Sequence, residues 1–313
     1  LQTLLVIFVI LVINFVLFRI MPGDPVKLMT RDPRLPEEMR QSVRVMFGLD
    51  KPLTEQFIIY VQNVLQGNLG FSFAYRRPVE ELLATRLLNT LPLMIGANLL
   101  AMTIGVVVGV ATAWKRGRRL DLVGQALALS FYSIPYFWFG MTVLMILIVF
   151  LGIDVPVGGL GVSGAVYATS TEQLADYLRH LMLPMTTYAL GAVGSYALIV
   201  RNVMVEVLSE EFVVTARAKG LGDGAIMFGT VLRNGMLPLI TLIALNFGFM
   251  VAGTIEIETV FSWPGIGLLV YRSILTRDYP VLQGAFLLLT ISVVLANFAA
   301  DLLYSYLDPR VRY

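Results

Sequence analysis

Glu210-Glu211-Phe212-Val213-Val214-Thr215-Ala216-Arg217-Ala218-Lys219-Gly220-Leu221-Gly222-Asp223, running on through Leu232-Arg233-Asn234 to Leu237-Pro238, is a mixed-charge, helix-forming block set between two apolar runs. Gly220 and Gly222 close it and let the chain turn back. So hydrophobic a chain has little reason to keep such a block unless something soluble docks there. Hydrophobic residues make up 57% of the 313 and charged residues only 14%, against about 25% charged in a soluble domain. The expected class is an all-α integral membrane protein.

Six apolar runs are long enough to cross a hydrocarbon core, which takes about 20 helical residues. They are about Leu1 to Arg19, Leu87 to Trp114, Leu122 to Ile153, Leu181 to Val200, Gly235 to Ile255, and Tyr279 to Leu307, the last interrupted by Asp301. Lipid leaves each backbone group to be paired within its own segment, so such runs form helices. The expected organisation is one span over residues 1–20, an extracytoplasmic segment over 21–86, and a core over 87–313. That core holds spans two to six and a cytoplasmic loop at 201–235. The sequence opens inside an apolar run at Leu1, with no charged leader ahead of it, and is expected to begin within its first span.

Short loops set the orientation. Lys115-Arg116-Gly117-Arg118-Arg119 lies between spans two and three, and Arg201, Arg217, Lys219 and Arg233 lie between spans four and five. Basic short loops face the cytoplasm, which with six spans puts both termini there too. Residues 22–86 carry nine Lys or Arg against eight acids, but a long loop crosses largely regardless of charge. That outer segment reads as folded. Pro36-Glu37-Glu38-Met39 starts one helix, with proline and acids in its first turn. Phe57, Val61, Val64 and Leu65 give a second helix one apolar face between Pro52 and Gln66, and Gly67-Asn68-Leu69-Gly70 makes a turn. It is either a cap packed on the spans or a docking surface for an outer partner, or both.

Pro135, within Ser133-Ile134-Pro135-Tyr136, breaks the third span, as a pore-lining kink or as a proline tolerated in packing. Ser133, Tyr136, Asn246 and Met250 are the candidate path residues, Asn246 because an amide in an apolar run avoids lipid. Glu256 and Glu258 read as exposed carboxylates at a helix end, and His180 as a surface or interface residue. Phe261-Ser262-Trp263-Pro264-Gly265-Ile266-Gly267 joins interfacial aromatics to a Pro-Gly turn. It either plugs or lines the outer mouth, or anchors helix ends.

No cysteine is present, one histidine stands alone, and no phosphate-cradling loop, zinc-protease helix or nucleophile elbow occurs. A net charge of +2 gives no reason to expect nucleic acid. Spans two to five hold no ionisable residue in their interiors, as ion-coupled transport would require. Any uphill work is therefore expected to come from another protein.

Glu211 to Leu221, with Leu232-Arg233-Asn234 and Leu237-Pro238 downstream, resembles the coupling motif of ATP-binding cassette importer permeases. The likeness is to the first permease of the dipeptide, oligopeptide and nickel branch. Met21-Pro22-Gly23-Asp24-Pro25, Gly48 to Leu53, Gly67 to Ser72, Pro78-Val79, Phe261 to Gly267, Arg277-Asp278-Tyr279-Pro280 and Asp308 to Arg312 match that branch in order. Departures are Val214 where the general motif has glutamate, Thr230 for histidine and Asn68 for aspartate. The resemblance implies a type I importer permease fold, non-catalytic and without a cofactor of its own. It implies a plasma (inner) membrane complex with a second, similar permease, two cytoplasmic ATPases that bind ATP and Mg, an extracytoplasmic solute-binding protein, and a peptide as cargo. Nickel chelates and oligosaccharides are alternative cargoes within the branch. Carried over by position, Thr215 to Asp223 would form the coupling helix. Glu211, Thr215, Ala216, Arg217, Ala218, Lys219, Gly220, Leu221 and Asp223 would meet an ATPase, with Ala216 and Ala218 small enough for close approach. Phe261, Trp263, Pro264 and Gly265 would lie on the binding-protein side. The competing reading from a different class is a membrane receptor or scaffold for a peptide-binding protein; a gradient-driven transporter is a third.

Overall fold

The computed structural model describes residues 2–20, 38, 41, 45, 51–72, 74–235 and 250–307. In chain order the helices are α1 (Gln2–Ile20), α2 (Leu53–Leu65), α3 (Val79–Trp114), α4 (Arg119–Ser133), α5 (Tyr136–Met145), α6 (Ser170–Val207), α7 (Glu211–Ala218), α8 (Asp223–Ile226), α9 (Ile255–Val260), α10 (Ile266–Thr276) and α11 (Tyr279–Leu307). A two-stranded antiparallel hairpin, β1 (Phe71–Ser72) and β2 (Arg77–Pro78), lies between α2 and α3. Wider π turns extend α5 over Ile146–Phe150 and α8 over Met227–Val231. The chain divides into two compact units: Leu1–Thr90, Gly248–Ile255 and Pro264–Leu302 in the first, Leu91–Phe247, Glu256–Trp263 and Leu303–Tyr313 in the second.

Among the described residues, α3, α6 and α11 through Ala299 are long and apolar enough to cross a membrane. The pair Arg119–Ser133 and Tyr136–Phe150 makes a fourth if counted as one broken span, while α1 is a shorter apolar helix. Most of the expected fifth run, the Pro36 helix start, Leu237-Pro238 and the residues beyond Leu307 lie outside the described residues. Two helices outrun their expected limits. α3 begins at Val79 rather than Leu87, and α6 covers Ser170–Val207 rather than Leu181–Val200. At 1.5 Å per residue these are about 54 and 57 Å long, well past a hydrocarbon core. The added turns are polar but properly started: the Thr169 hydroxyl caps α6 by accepting from the Glu172 N–H. Hydropathy detects only the apolar middle of such a helix.

The third run is broken by 98°. Proline drives its predecessor out of the helical region, and Ile134 is extended (φ −81°, ψ 125°), as is Pro135 itself (φ −60°, ψ 133°). Pro135 then begins the next helix, its carbonyl accepting from the Phe139 N–H at 3.0 Å. What reads as a kink in sequence is a corner.

In the first unit, Val79, Leu82 and Leu83 of α3 pack on Ile266, Leu269 and Val270 of α10 and on Val281, Leu282 and Ala285 of α11. In the same unit the Ser72 hydroxyl donates to the buried Asp278 carboxylate at 2.5 Å and accepts from the Tyr75 N–H at 3.0 Å. Burial pushes the Asp278 carboxyl above its usual range, with the Ser72 hydroxyl and the backbone at Ala74 and Val281 pulling it back. Ser72→Ala removes one donor from a buried carboxylate, so a loss of about 1–3 kcal/mol is expected, read as a lowered melting temperature in detergent. An unchanged melt would mean that Asp278 is satisfied without Ser72.

α2 departs from its expected face. Phe57 does face inward, its ring meeting Phe15 of α1 edge-on at 5.3 Å, but Leu65 is 80% exposed and Gln56 is buried in its place. The Gln56 Nε2 donates to the Lys51 carbonyl at 2.7 Å, which satisfies one end of this buried amide.

The second unit is held by small residues. Ala97 and Ala101 of α3 meet Ala189 and Ala192 of α6. One turn on, a Cβ at Gly105 would sit 2.5 Å from the Tyr196 Cβ, and one at Gly109 would sit 2.7 Å from both the Ala197 carbonyl and the Val200 Cβ. With no hydrophobic drive between helices in lipid, close backbone approach through such residues is what brings helices together.

Candidate coupling site and path

α7 owes its short length to its ends. Glu211 lies in the first turn and Arg217 in the last, both favourable to the helix dipole. Gly220 then takes a left-handed conformation (φ 79°) with its N–H on the Arg217 carbonyl at 2.9 Å. Gly222 is extended, and Asp223 opens α8. The helix is therefore Glu211–Ala218, not Thr215 to Asp223: left-handed Gly220 ends one helix before Asp223 begins the next.

Its inner and outer faces are sharply divided. Val213 and Ala216, three apart and so on one face, are buried against Val110 and Ala113 of α3, Val200 and Met204 of α6, and Ile226, Met227 and Val231. Glu211, Phe212, Val214, Thr215, Arg217, Ala218, Lys219, Gly220, Leu221 and Asp223 are exposed. Ala216, expected on the partner-facing side, instead packs into this chain's own core at 7% exposure. The two alanines are 200° apart around the helix axis at about 100° per residue, so only one of them can face out. Among the described residues, neither Arg217 nor Lys219 forms an ion pair.

Of the four path candidates, Asn246 lies outside the described residues, Met250 is buried in the first unit, and Ser133 and Tyr136 flank the corner in the second. The Ser133 hydroxyl is turned back onto the Leu129 carbonyl at 2.8 Å. Tyr136 stacks on Tyr188 of α6, with ring centroids 4.9 Å apart and planes 9° from parallel, and lies against Gly191. Tyr196, two turns along α6, donates to the buried Asn98 at 3.0 Å. Tyr188, Tyr196 and Asn98 were not picked out in sequence. Asn98 carried the same signal as Asn246, an amide within an apolar run; the tyrosines carried none.

Phe261 and Trp263 are buried rather than set at an interface, at 1% and 0% exposure. Phe261 lies against Gly140 and Gly158, and Trp263 packs with Leu93 and Leu181. In the first unit the Pro264 carbonyl accepts from Asn89 at 2.9 Å and Arg86 at 3.2 Å, and the Ile266 N–H beyond Gly265 donates to Thr90 at 2.8 Å. Glu258 is fully buried, contrary to its expected exposure, while Glu256 is exposed. His180 is buried as well, not at a surface: its Nδ1 lies 3.3 Å from Asp176, whose carboxylate also holds the Val162 N–H and the Tyr167 hydroxyl. Among the described residues no group of side chains could hold a metal ion.

Residues 105–313 match the family described as binding-protein-dependent transport system inner membrane component, and residues 1–94 match its N-terminal membrane component. The di/tripeptide transport system permease protein DppB of Pseudomonas aeruginosa (strain UCBPP-PA14) is 37% identical, over 98% of this chain and 95% of its own. The glutathione transport system permease protein GsiC of Salmonella choleraesuis (strain SC-B67) is 38% identical over 97% and 94%. The dipeptide transport system permease protein DppB of Escherichia coli (strain K12) is 36% identical over the same shares. Among solved structures, a chain of the inward-facing MetNI methionine ABC transporter superimposes with a TM-score of 0.55 at 20% identity, over 72% of this chain and 96% of that one. With both family segments matched in order and relatives aligned over nearly its whole length, the chain belongs to the binding-protein-dependent transport system inner membrane components, as a multi-pass membrane permease.

Proposed function

We propose that this chain is one of two pore subunits of an ATP-driven importer of small peptides, with six spans and both termini in the cytoplasm. Its partners are a second, similar permease, two soluble ATPases that bind ATP and Mg, and an extracytoplasmic binding protein that delivers the peptide. This chain hydrolyses nothing.

The observation that carries this reading is the division of α7. One face is rooted in the permease by Val213 and Ala216. The opposite side presents Val214 and Ala218, four residues apart, as a short apolar strip, with Glu211 and Thr215 on the same side and Phe212 and Arg217 at its two edges. An isolated membrane protein gains nothing by exposing such a strip next to free charge; a groove on a soluble partner covers it. When the ATPases close on ATP, α7 is carried with them and the spans open outward. The names of the relatives, di/tripeptide, glutathione and dipeptide permeases, point to small peptides as cargo. Tyr136, Tyr188, Tyr196, Asn98 and Ser133, all in the second unit, are assigned to the path. Hydroxyls and amides on aromatic walls can pass peptide bonds without holding any one side chain. Phe261, Trp263, Pro264 and Gly265 belong to the frame of the outer side on which the binding protein lands.

Vesicles carrying the assembled complex are expected to accumulate a labelled dipeptide only when ATP is supplied on the α7 side and the binding protein on the other. Accumulation driven by a proton or sodium gradient without ATP would overturn the reading, and so would binding-protein capture with no accumulation at all.

A further inference from the structure

We infer that Asp121 and Arg201 form a clamp that makes α4 move as one body with α7, so that the ATPase stroke reaches the membrane first through the broken span; this rests on the proposed importer function. Arg201 lies on the last turns of α6 and grips Asp121 at the start of α4 with both arms, Nε to Oδ1 at 2.8 Å and Nη2 to Oδ2 at 2.9 Å. The same carboxylate accepts the Gly117 N–H at 2.9 Å and the Gln125 amide at 2.8 Å, giving two oxygens four donors. Its side chain is 3% exposed, that of Arg201 16%. A planar, two-armed pair buried this deeply has one good arrangement, and sliding α4 along α6 would leave a charge buried without its partner. The joint is therefore discrete rather than compliant.

The positions on either side of the clamp give it a function. Val200 precedes Arg201 and Met204 lies three residues on, and both pack on Val213 and Ala216 of α7. One stretch of α6 thus holds the coupling helix with its apolar side chains and α4 with its charge. Higher on the same pair of helices, Gly194 lies against the Ala128 carbonyl with no room for a Cβ, so α4 is held at two levels. Its far end is the corner at Ile134 and Pro135, and beyond it stands Tyr136, stacked on Tyr188. Movement of α7 is in this way handed to the corner next to the proposed path. Asp121 and Arg201 are positioning residues; neither touches cargo or nucleotide.

This chain has no cysteine, so with any cysteines of the partner subunits replaced, spin labels can be placed at Ser130 of α4 and Ser209 after α6, both exposed. In the complete complex their separation is expected to stay the same between nucleotide-free and ATP-bound states, and to change or broaden in Asp121→Asn. Peptide taken up per ATP hydrolysed is expected to fall by about five- to tenfold in Asp121→Asn with ATP hydrolysis retained. If Asp121→Asn does not fold, Arg201→Lys keeps both charges, loses the two-armed geometry, and is expected to fall in the same direction. An unchanged ratio of uptake to hydrolysis in the folded variant overturns the clamp, as does a label separation that already shifts with ATP in the unmutated complex. Absence of ATP-driven uptake in the unmutated complex would instead refute the importer reading itself.

Discussion

Ala218→Trp is expected to cut ATP-driven peptide uptake at least about tenfold while leaving a folded, normally melting protein. Ala218 is exposed on the last turn of α7, so under the proposed coupling an indole there would meet the ATPase groove and hold the helix off it. Ala216→Trp, two residues earlier, is expected to fail for a different reason. That position is 7% exposed and packs on Val200 and Met204, so the added volume costs about 1–3 kcal/mol or more of stability. Uptake into vesicles and thermal melts in detergent separate the two: the first variant is stable and uncoupled, the second unstable. A stable, uncoupled Ala216→Trp beside a fully active Ala218→Trp would mean that α7 presents its other face to the partner.

Gly109→Leu is expected to abolish the folded chain altogether. A Cβ there would stand 2.7 Å from the Ala197 carbonyl, a backbone atom that cannot turn aside, and as close to the Val200 Cβ. Gly105, one turn away on the same face, is pressed against Tyr196 in the same manner, so α3 cannot pivot to make room. Forcing the helices apart forfeits the contacts between Ala97, Ala101, Ala189 and Ala192 as well, a loss on the order of 4 kcal/mol or more. Gly229→Ala is the matched control, since a Cβ at Gly229 meets nothing within 4 Å. In fluorescence-detected size exclusion the control is expected to elute as a single species and Gly109→Leu as aggregate. Elution of Gly109→Leu at the native position would show that α3 and α6 do not cross through these glycines.

The membrane class, the spans that are long and apolar, the position of the break at Pro135 and the existence of a helical block after Glu210 were all readable from residues in a row. Each is a local property: apolar run length, a missing N–H, a glycine that ends a helix. The errors have one kind of cause. Ala216, Glu258 and His180 read as outward-facing from position and chemistry alone, yet exposure is set by what packs on a residue, as Met204 of α6 does on Ala216. The tyrosine stack at Tyr136 and the hold of Arg201 on Asp121, 80 residues away, arise only once distant segments are brought together. No window along the chain contains both partners of such a contact, so packing alone decided which face of α7 turns inward and which is left for something else to grip.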